Sequence, residues 1–95
     1  MVKHIILWKL SDNAPAEAKA EVKSRLEALN GKIPGMISLT VHTDGLPSSS
    51  ADMMLDSLFE TEDALKGYQI NPLHVAAATY VRSVVAERLC LDFEA

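Results

Sequence analysis

Val2–Leu10 is a run of β-branched, aliphatic and aromatic residues with Lys3 and Lys9 near its ends. Alternation puts His4, Ile6, Trp8 and Leu10 on one face and Ile5 and Leu7 on the other, so the segment predicts a strand apolar on both sides at its centre. After a polar break at 11–14, Pro15 suits the first turn of a helix, where its missing N–H costs nothing. Ala18, Val22, Leu26 and Leu29 then recur at helical spacing, with Glu17, Lys19, Glu21, Lys23 and Glu27 elsewhere. Gly31 is placed to end that helix in the left-handed conformation. Ile33-Pro34-Gly35 turns the chain into a second strand over 36–43, where Ile37, Leu39 and Val41 share one face and Met36, Ser38, Thr40 and His42 the other.

Residues 44–50 (DGLPSSS) read as a loop. A third strand follows over 53–60, with Met53, Leu55 and Phe59 on one face. Thr61 can cap a short helix to about position 69, with Glu62 and Asp63 favourably placed in its first turn. Asn71-Pro72 gives a second cap-plus-proline start, for a helix over 72–83. A last strand over 84–93 carries Val85, Leu89, Leu91 and Phe93 on one face. The order β-α-β-β-α-β, its second helical region broken in two, predicts a ferredoxin-like α+β fold: a four-stranded antiparallel sheet with helices on one face. No repeat or linker divides it, and residues 1–95 are one domain's worth of chain.

Helices can cover only one face of such a sheet. By the alternation above, the other face would carry Ile5, Leu7, Ile37, Leu39, Val41, Leu55, Phe59, Leu89, Leu91 and Phe93. Patches of that size are rare on soluble monomers, and a second copy packed sheet to sheet would remove the surface with two-fold symmetry. The sequence therefore predicts a homodimer paired through its sheet faces, a dimeric α+β barrel, unless a bulge scrambles the faces.

Composition narrows the function classes. The hydrophobic share is 48% and aromatics only 5%, so aliphatic side chains build the core. A net charge of −4 without a Lys/Arg cluster argues against nucleic acid or an anionic membrane as partner. The lone Cys90 excludes an internal disulfide and any Cys-based zinc cluster. The apolar run at 5–8 is too short for a signal sequence, and no stretch approaches the roughly 20 apolar residues of a membrane span. We read the chain as cytoplasmic and untargeted.

Several segments together are distinctive: Val2–Leu10 (VKHIILWKL), Ile33-Pro34-Gly35-Met36, Phe59-Glu60, Ala64-Leu65, Tyr68-Gln69, Pro72, His74 and Tyr80-Val81-Arg82. In this combination the chain resembles, over essentially its whole length, the Dabb family of stress-responsive dimeric α/β-barrel domains. The resemblance implies a homodimer whose two sheets form a barrel, and we expect no cofactor or metal. A few members of that family are cofactor-free polyketide cyclases of the olivetolic acid cyclase type. The pocket residues of those cyclases match His4, His74 and Tyr68. A further pocket tyrosine of theirs falls at or near Leu26, a departure that removes one polar contact.

The residues support this reading to different degrees. His74, in the first turn of a helix capped by Asn71, shares a face with Ala77, Ala78 and Val81. The positive end of the helix dipole favours its neutral form, which can accept a proton near pH 7; the residues alone fit as well a helix-start histidine bonded to backbone or water. His4, within an apolar strand face, needs a polar partner, which His74 or Tyr68 could supply; on the residues alone a satisfied core histidine is the better reading. Tyr68 can donate to a carbonyl or enolate oxygen; it also fits as a boundary tyrosine with a wet tip. Ser38, Thr40 and Ala78 are small and, if they face His4, Trp8 and Leu26, leave room for a ligand pocket. Small residues also allow tight packing with no cavity. His42, Asp52 and Asp56 form no metal-ligand spacing, and Cys90 has packing as its default role.

Two functions remain open. One is a dimer that binds a small apolar or carbonyl-containing molecule, as a cofactor-free cyclase or isomerase with His74 as base, His4 orienting it and Tyr68 holding the developing oxyanion. The other is a non-catalytic stress-response or assembly protein whose dimer is the product. A heme-independent monooxygenase shares the barrel by analogy only, and no motif here favours it.

Overall fold

The computed structural model describes residues 1–95. Its elements run β1 (Val2–Leu10), α1 (Ala18–Glu27), β2 (Met36–His42), β3 (Met53–Phe59), α2 (Glu62–Ile70), α3 (Pro72–Val84) and β4 (Val85–Glu94). The four strands form one antiparallel sheet in the order β2-β3-β1-β4, the ferredoxin-like arrangement. No helix is long and apolar enough to cross a membrane.

The punctuation follows the local chemistry. The Thr61 hydroxyl accepts the Ala64 amide at the start of α2, and the Asn71 side chain accepts the Leu73 amide at the start of α3. Gly31 and Gly35 have φ of +80° and +76°, where an L side chain is disfavoured. The first helix is shorter than its apolar spacing suggests. Pro15 heads a turn closed by the Ala18 amide on the Pro15 carbonyl, and α1 begins at Ala18.

The core lies between the helices and the inner sheet face. Ala18, Val22, Leu26 and Leu29 pack from the first helical region against Leu39, Val41, Met53, Leu55 and Phe59, all buried. This inverts the expected faces of β2 and β3. In the observed register Val2, His4, Ile6 and Trp8 lie opposite Phe59, Ser57, Leu55 and Met53, and antiparallel partners share a face. Leu55 and Phe59 are therefore under the helices. Leu39 and Val41, opposite Ser57 and Leu55, join them. A bulge between Met36 and Ser38 turns both Ile37 and Ser38 outward. Leu39, Val41, Leu55 and Phe59 thus leave the expected outer face, and Ser38 and Thr40 move onto it.

A second bulge, between Lys9 and Leu10, pairs Leu10 with Val85 and Lys9 with Glu87. It returns Val85 to the core side, away from the face it was expected to share with Leu89. What remains outside is a narrower apolar stripe. Leu7 pairs with Leu89 and Ile5 with Leu91, and Leu89, Leu91 and Phe93 are 73%, 64% and 44% exposed.

The two sheet edges differ. At β2 the Asn30 side chain bonds both the amide and the carbonyl of Leu39, Glu27 accepts the Val41 amide, and Lys23 donates to the Val41 carbonyl. Burial pushes the Glu27 carboxyl up, but Lys23 and the Val41 amide outweigh it and hold the group below its ordinary value. The first helical region therefore occupies the hydrogen-bonding edge that an exposed strand would offer another chain. The opposite edge, β4, carries no such cover.

Candidate functional site

α1 and α2 cover β2, β3 and β1, whereas β4 beyond Val85 is exposed on both faces. The inner face of β4 beside β1 is therefore left open, and a cavity of about 480 Å³ forms there. That volume suits a small organic ligand. Ile6, Trp8 and Leu55 from the sheet and Leu26 from α1 form its apolar wall. His4, Tyr68, Gln69 and His74 supply polar groups, and Ala78 and Val81 complete the α3 side.

Six of the eight expected site residues meet here: His4, Trp8, Leu26, Tyr68, His74 and Ala78. Ser38 and Thr40 do not. They are exposed on the outer face, because their strand packs Leu39 and Val41 beneath the helices instead.

The polar end is an aromatic stack. Phe59 and Tyr68 have ring centroids 5.1 Å apart, and Tyr68 and His74 only 4.1 Å. His4 meets Tyr68 edge-on at 6.2 Å. Such pairs add about 0.5–1.5 kcal/mol each beyond burial, which fixes the rings. Tyr68 is 1% exposed by residue, yet its hydroxyl is not an orphaned buried atom and bonds nothing in the chain; it opens to the cavity. Burial pushes the phenol well above its ordinary value, with Arg88 pulling weakly the other way. The group is a neutral hydrogen-bond donor.

His74 is half-buried at the start of α3. Its Nδ1 lies 3.3 Å from the Gln69 carbonyl, which can only accept, so Nδ1 carries the proton and Nε2 keeps its lone pair. Burial is the main cause of its lowered pKa; the Gln69 bond opposes it, and His4, Arg82 and Arg88 lower it further. A neutral imidazole with a free Nε2 at a cavity is equipped to accept a proton.

His4 finds neither of its expected partners. Its Nδ1 donates to the Asp92 carboxylate, directly opposite on β4, while Ser57 Oγ donates to the His4 carbonyl. Cys90, expected only to pack, stands 3.6 Å from His4 Nδ1 and 3.5 Å from Asp92. Burial and Asp92 raise its pKa, so it stays a thiol rather than a nucleophile. His4, Cys90 and Asp92 hold three donor atoms within 4.8 Å of one another, the one grouping that could hold a metal. Their mutual hydrogen bonds already satisfy them.

Comparison with known proteins bears on the whole chain. The profile of the stress responsive A/B barrel domain matches residues 2–95. The chain belongs to that family. No curated protein matches the sequence. Among solved structures, a dimeric ferredoxin-like protein of unknown function from Bacteroides fragilis is 35% identical, with 99% of this chain and 95% of that one covered at a TM-score of 0.88. A hydroxynitrile lyase from Passiflora edulis is 14% identical (97% and 90% covered, TM-score 0.83). The cofactor-independent oxygenase SnoaB from Streptomyces nogalater is 20% identical (99% and 91% covered, TM-score 0.77). The last two likenesses are of fold alone; they place enzymes on this architecture without assigning an activity to this member of the stress responsive A/B barrel family.

Asp92, Arg82, Arg88 and Gln69 were not among the expected site residues. Asp92 carried a readable signal: it falls on the strand face opposite Leu91 and Phe93 by alternation, and an inward carboxylate needs a cationic or N–H partner. Gln69 acts through its backbone carbonyl, for which no side-chain pattern exists.

Proposed function

We propose that this chain forms a homodimer through the outer sheet face and binds a small carbonyl compound in the cavity, where His74 acts as general base. The observation that carries the catalytic part is the tautomer: Gln69 holds His74 Nδ1–H, leaving Nε2 basic beside the Tyr68 ring and its unbonded hydroxyl. In the proposed step His74 Nε2 takes a proton from the carbon next to a carbonyl. The C–H electron pair moves into the enolate, whose oxygen accepts a hydrogen bond from Tyr68. Either the proton then returns to a different carbon of a conjugated enolate, an isomerisation, or the enolate carbon attacks a second carbonyl of the same molecule, closing a ring as the proton passes to the new alkoxide. His4, held by Asp92, faces the cavity beside Tyr68 without bonding His74; its part is to orient the ligand rather than the base.

The pairing part is supported by the exposed stripe of Leu7, Leu89, Leu91 and Phe93 and by the Bacteroides relative, which is described as dimeric. A screen of linear poly-β-keto thioesters, read for ring closure or double-bond movement by mass spectrometry and absorbance, tests the chemistry. His74→Ala should abolish turnover and leave the oligomer folded. Retained turnover would remove His74 from the reaction. Loss of stability in His74→Ala, with no compound converted by the parent protein, would favour a non-catalytic stress-response or assembly role.

A further inference from the structure

The cavity is chemically lopsided in a way that proton abstraction leaves unused. One wall is apolar, built from Ile6, Trp8, Leu26 and Leu55, while Arg82 on the last turn of α3 and Arg88, on the inner face of β4 and paired with Trp8, line the same cavity. Neither arginine takes part in any ion pair of the chain. Of the nine basic side chains, Lys9, Lys19 and Lys32 are likewise unpaired, but Arg82 and Arg88 are the ones that line the cavity. Glu87 is the one carboxylate lining the cavity, and it pairs with neither. Two cations less one anion give the lining a formal charge of +1, in a chain whose total is −4. Both arginines are felt at His74, so they and the base border the same space.

We infer that Arg82 and Arg88 form an anion subsite, which takes a terminal carboxylate or phosphate of a ligand whose apolar middle lies along Trp8 and Leu26. Guanidinium presents parallel N–H donors that match either oxyanion, and at a partly enclosed cavity such charge-assisted bonds are among the stronger ones available. The apolar wall and the cationic side together describe an amphipathic acid. That the same molecule carries a carbonyl group rests on the function proposed above; the subsite itself does not.

Trp8 is the only tryptophan, is 4% exposed and lines the cavity, so its fluorescence reports occupancy. The full chain is titrated with octanoate, octyl phosphate and octan-1-ol, which share an eight-carbon tail. At least one anion should bind about tenfold or more tighter than the alcohol, and Arg82→Gln and Arg88→Gln should each weaken it about tenfold while leaving octanol unchanged. Preference for octanoate identifies a carboxylate and preference for octyl phosphate a phosphate ester; either supports the subsite. Equal affinity for all three probes overturns it, as does equal weakening of octanol by the arginine substitutions or no Trp8 response to any probe. Both arginines are exposed, so the substitutions should leave the fold intact, which thermal melts of each variant check. Turnover is not read here, so this test can fail while the role of His74 stands, and the reverse.

Discussion

Replacing Gly35 with alanine probes how tightly the turn before β2 is keyed to α2, the helix that carries Tyr68. Two separable costs arise. Gly35 has φ of +76°, and holding an L residue there costs about 1–2 kcal/mol. An added Cβ would also stand 2.5 Å from the Cβ of Ala64 and 3.7 Å from its Cα. Ala64 is in the first turn of α2 and cannot rotate away, so the helix must shift, an overpacking cost of about 1–3 kcal/mol. Gly31 isolates the first cost, because its φ is +80° and nothing lies within 4 Å of the added Cβ. Gly31→Ala should lose about 1–2 kcal/mol and Gly35→Ala about 2–5 kcal/mol, out of a total of about 5–15 kcal/mol for a domain this size. Urea denaturation of both variants gives the difference directly. Adding Ala64→Gly removes the obstructing methyl, and in that background Gly35→Ala should cost only the backbone share. Equal losses for Gly31→Ala and Gly35→Ala would refute the contact. A Gly35→Ala loss unrelieved by Ala64→Gly would refute the assignment to Ala64. Tyr68, one turn beyond Ala64, would move with the helix, so Gly35→Ala should also weaken ligand binding from a distance.

Three other outcomes follow from the site and the sheet. Asp92→Ala leaves the Nδ1–H of the buried His4 without its acceptor and should cost about 1–3 kcal/mol, while Asp92→Asn, which keeps an acceptor oxygen, should cost less; thermal melts in which the two variants fall equally would show that the hydrogen bond is not the cause. His74 has a folded pKa below its ordinary 6.5, so the unfolded chain binds more protons just below that value. Its contribution to stability is therefore complete above about pH 6.5 and lost as pH falls toward the folded value. His74→Gln should flatten this slope in urea titrations between pH 5 and 7.5, and parallel profiles for variant and parent would count against the shift. Leu91→Glu puts a charge in the middle of the outer stripe and should convert a dimer to a folded monomer by light scattering; an unchanged mass would exclude pairing through that face.

Much of this architecture is legible in the sequence because its signals are local. Thr61, Asn71-Pro72 and the left-handed Gly31 each mark an element end through one or two bonds, and each end falls within a few residues of its expected place. The bulges are not local. Alternation correctly groups Leu39 with Val41, and Ser38 with Thr40. Which group faces the helices depends on the pairing of β2 with β3 and on the extra residue at Ile37. The aliphatic group won the inner face because burying Leu39 and Val41 releases more apolar surface than burying a serine and a threonine. The cavity was legible through His4, Tyr68 and His74, whose residue types are costly to bury without purpose. Its cationic side was not, since Arg82 and Arg88 are exposed arginines like any others until strand register and helix placement set them around one space.

β4 joins these threads. By alternation its outer face carries Leu89, Leu91 and Phe93, and its inner face Arg88, Cys90 and Asp92. No helix covers the inner face, which is why a cavity exists there, and no intramolecular layer covers the outer one. The strand contributes little to the monomer's core, and the proposed function gives its apolar residues and its polar row two other partners: a second sheet outside and a ligand inside. In the proposed dimer the first would fix the second. Packing Leu89, Leu91 and Phe93 against another copy would hold the backbone that carries Arg88 and Asp92, and with Asp92 the orientation of His4. Strand β1 is tied to β4 along its whole length, so rigidity gained on the outer face passes directly to the row of His4, Ile6 and Trp8 lining the cavity. The same alternation that gives the sheet an adhesive exterior thus gives the cavity its charged and hydrogen-bonded wall.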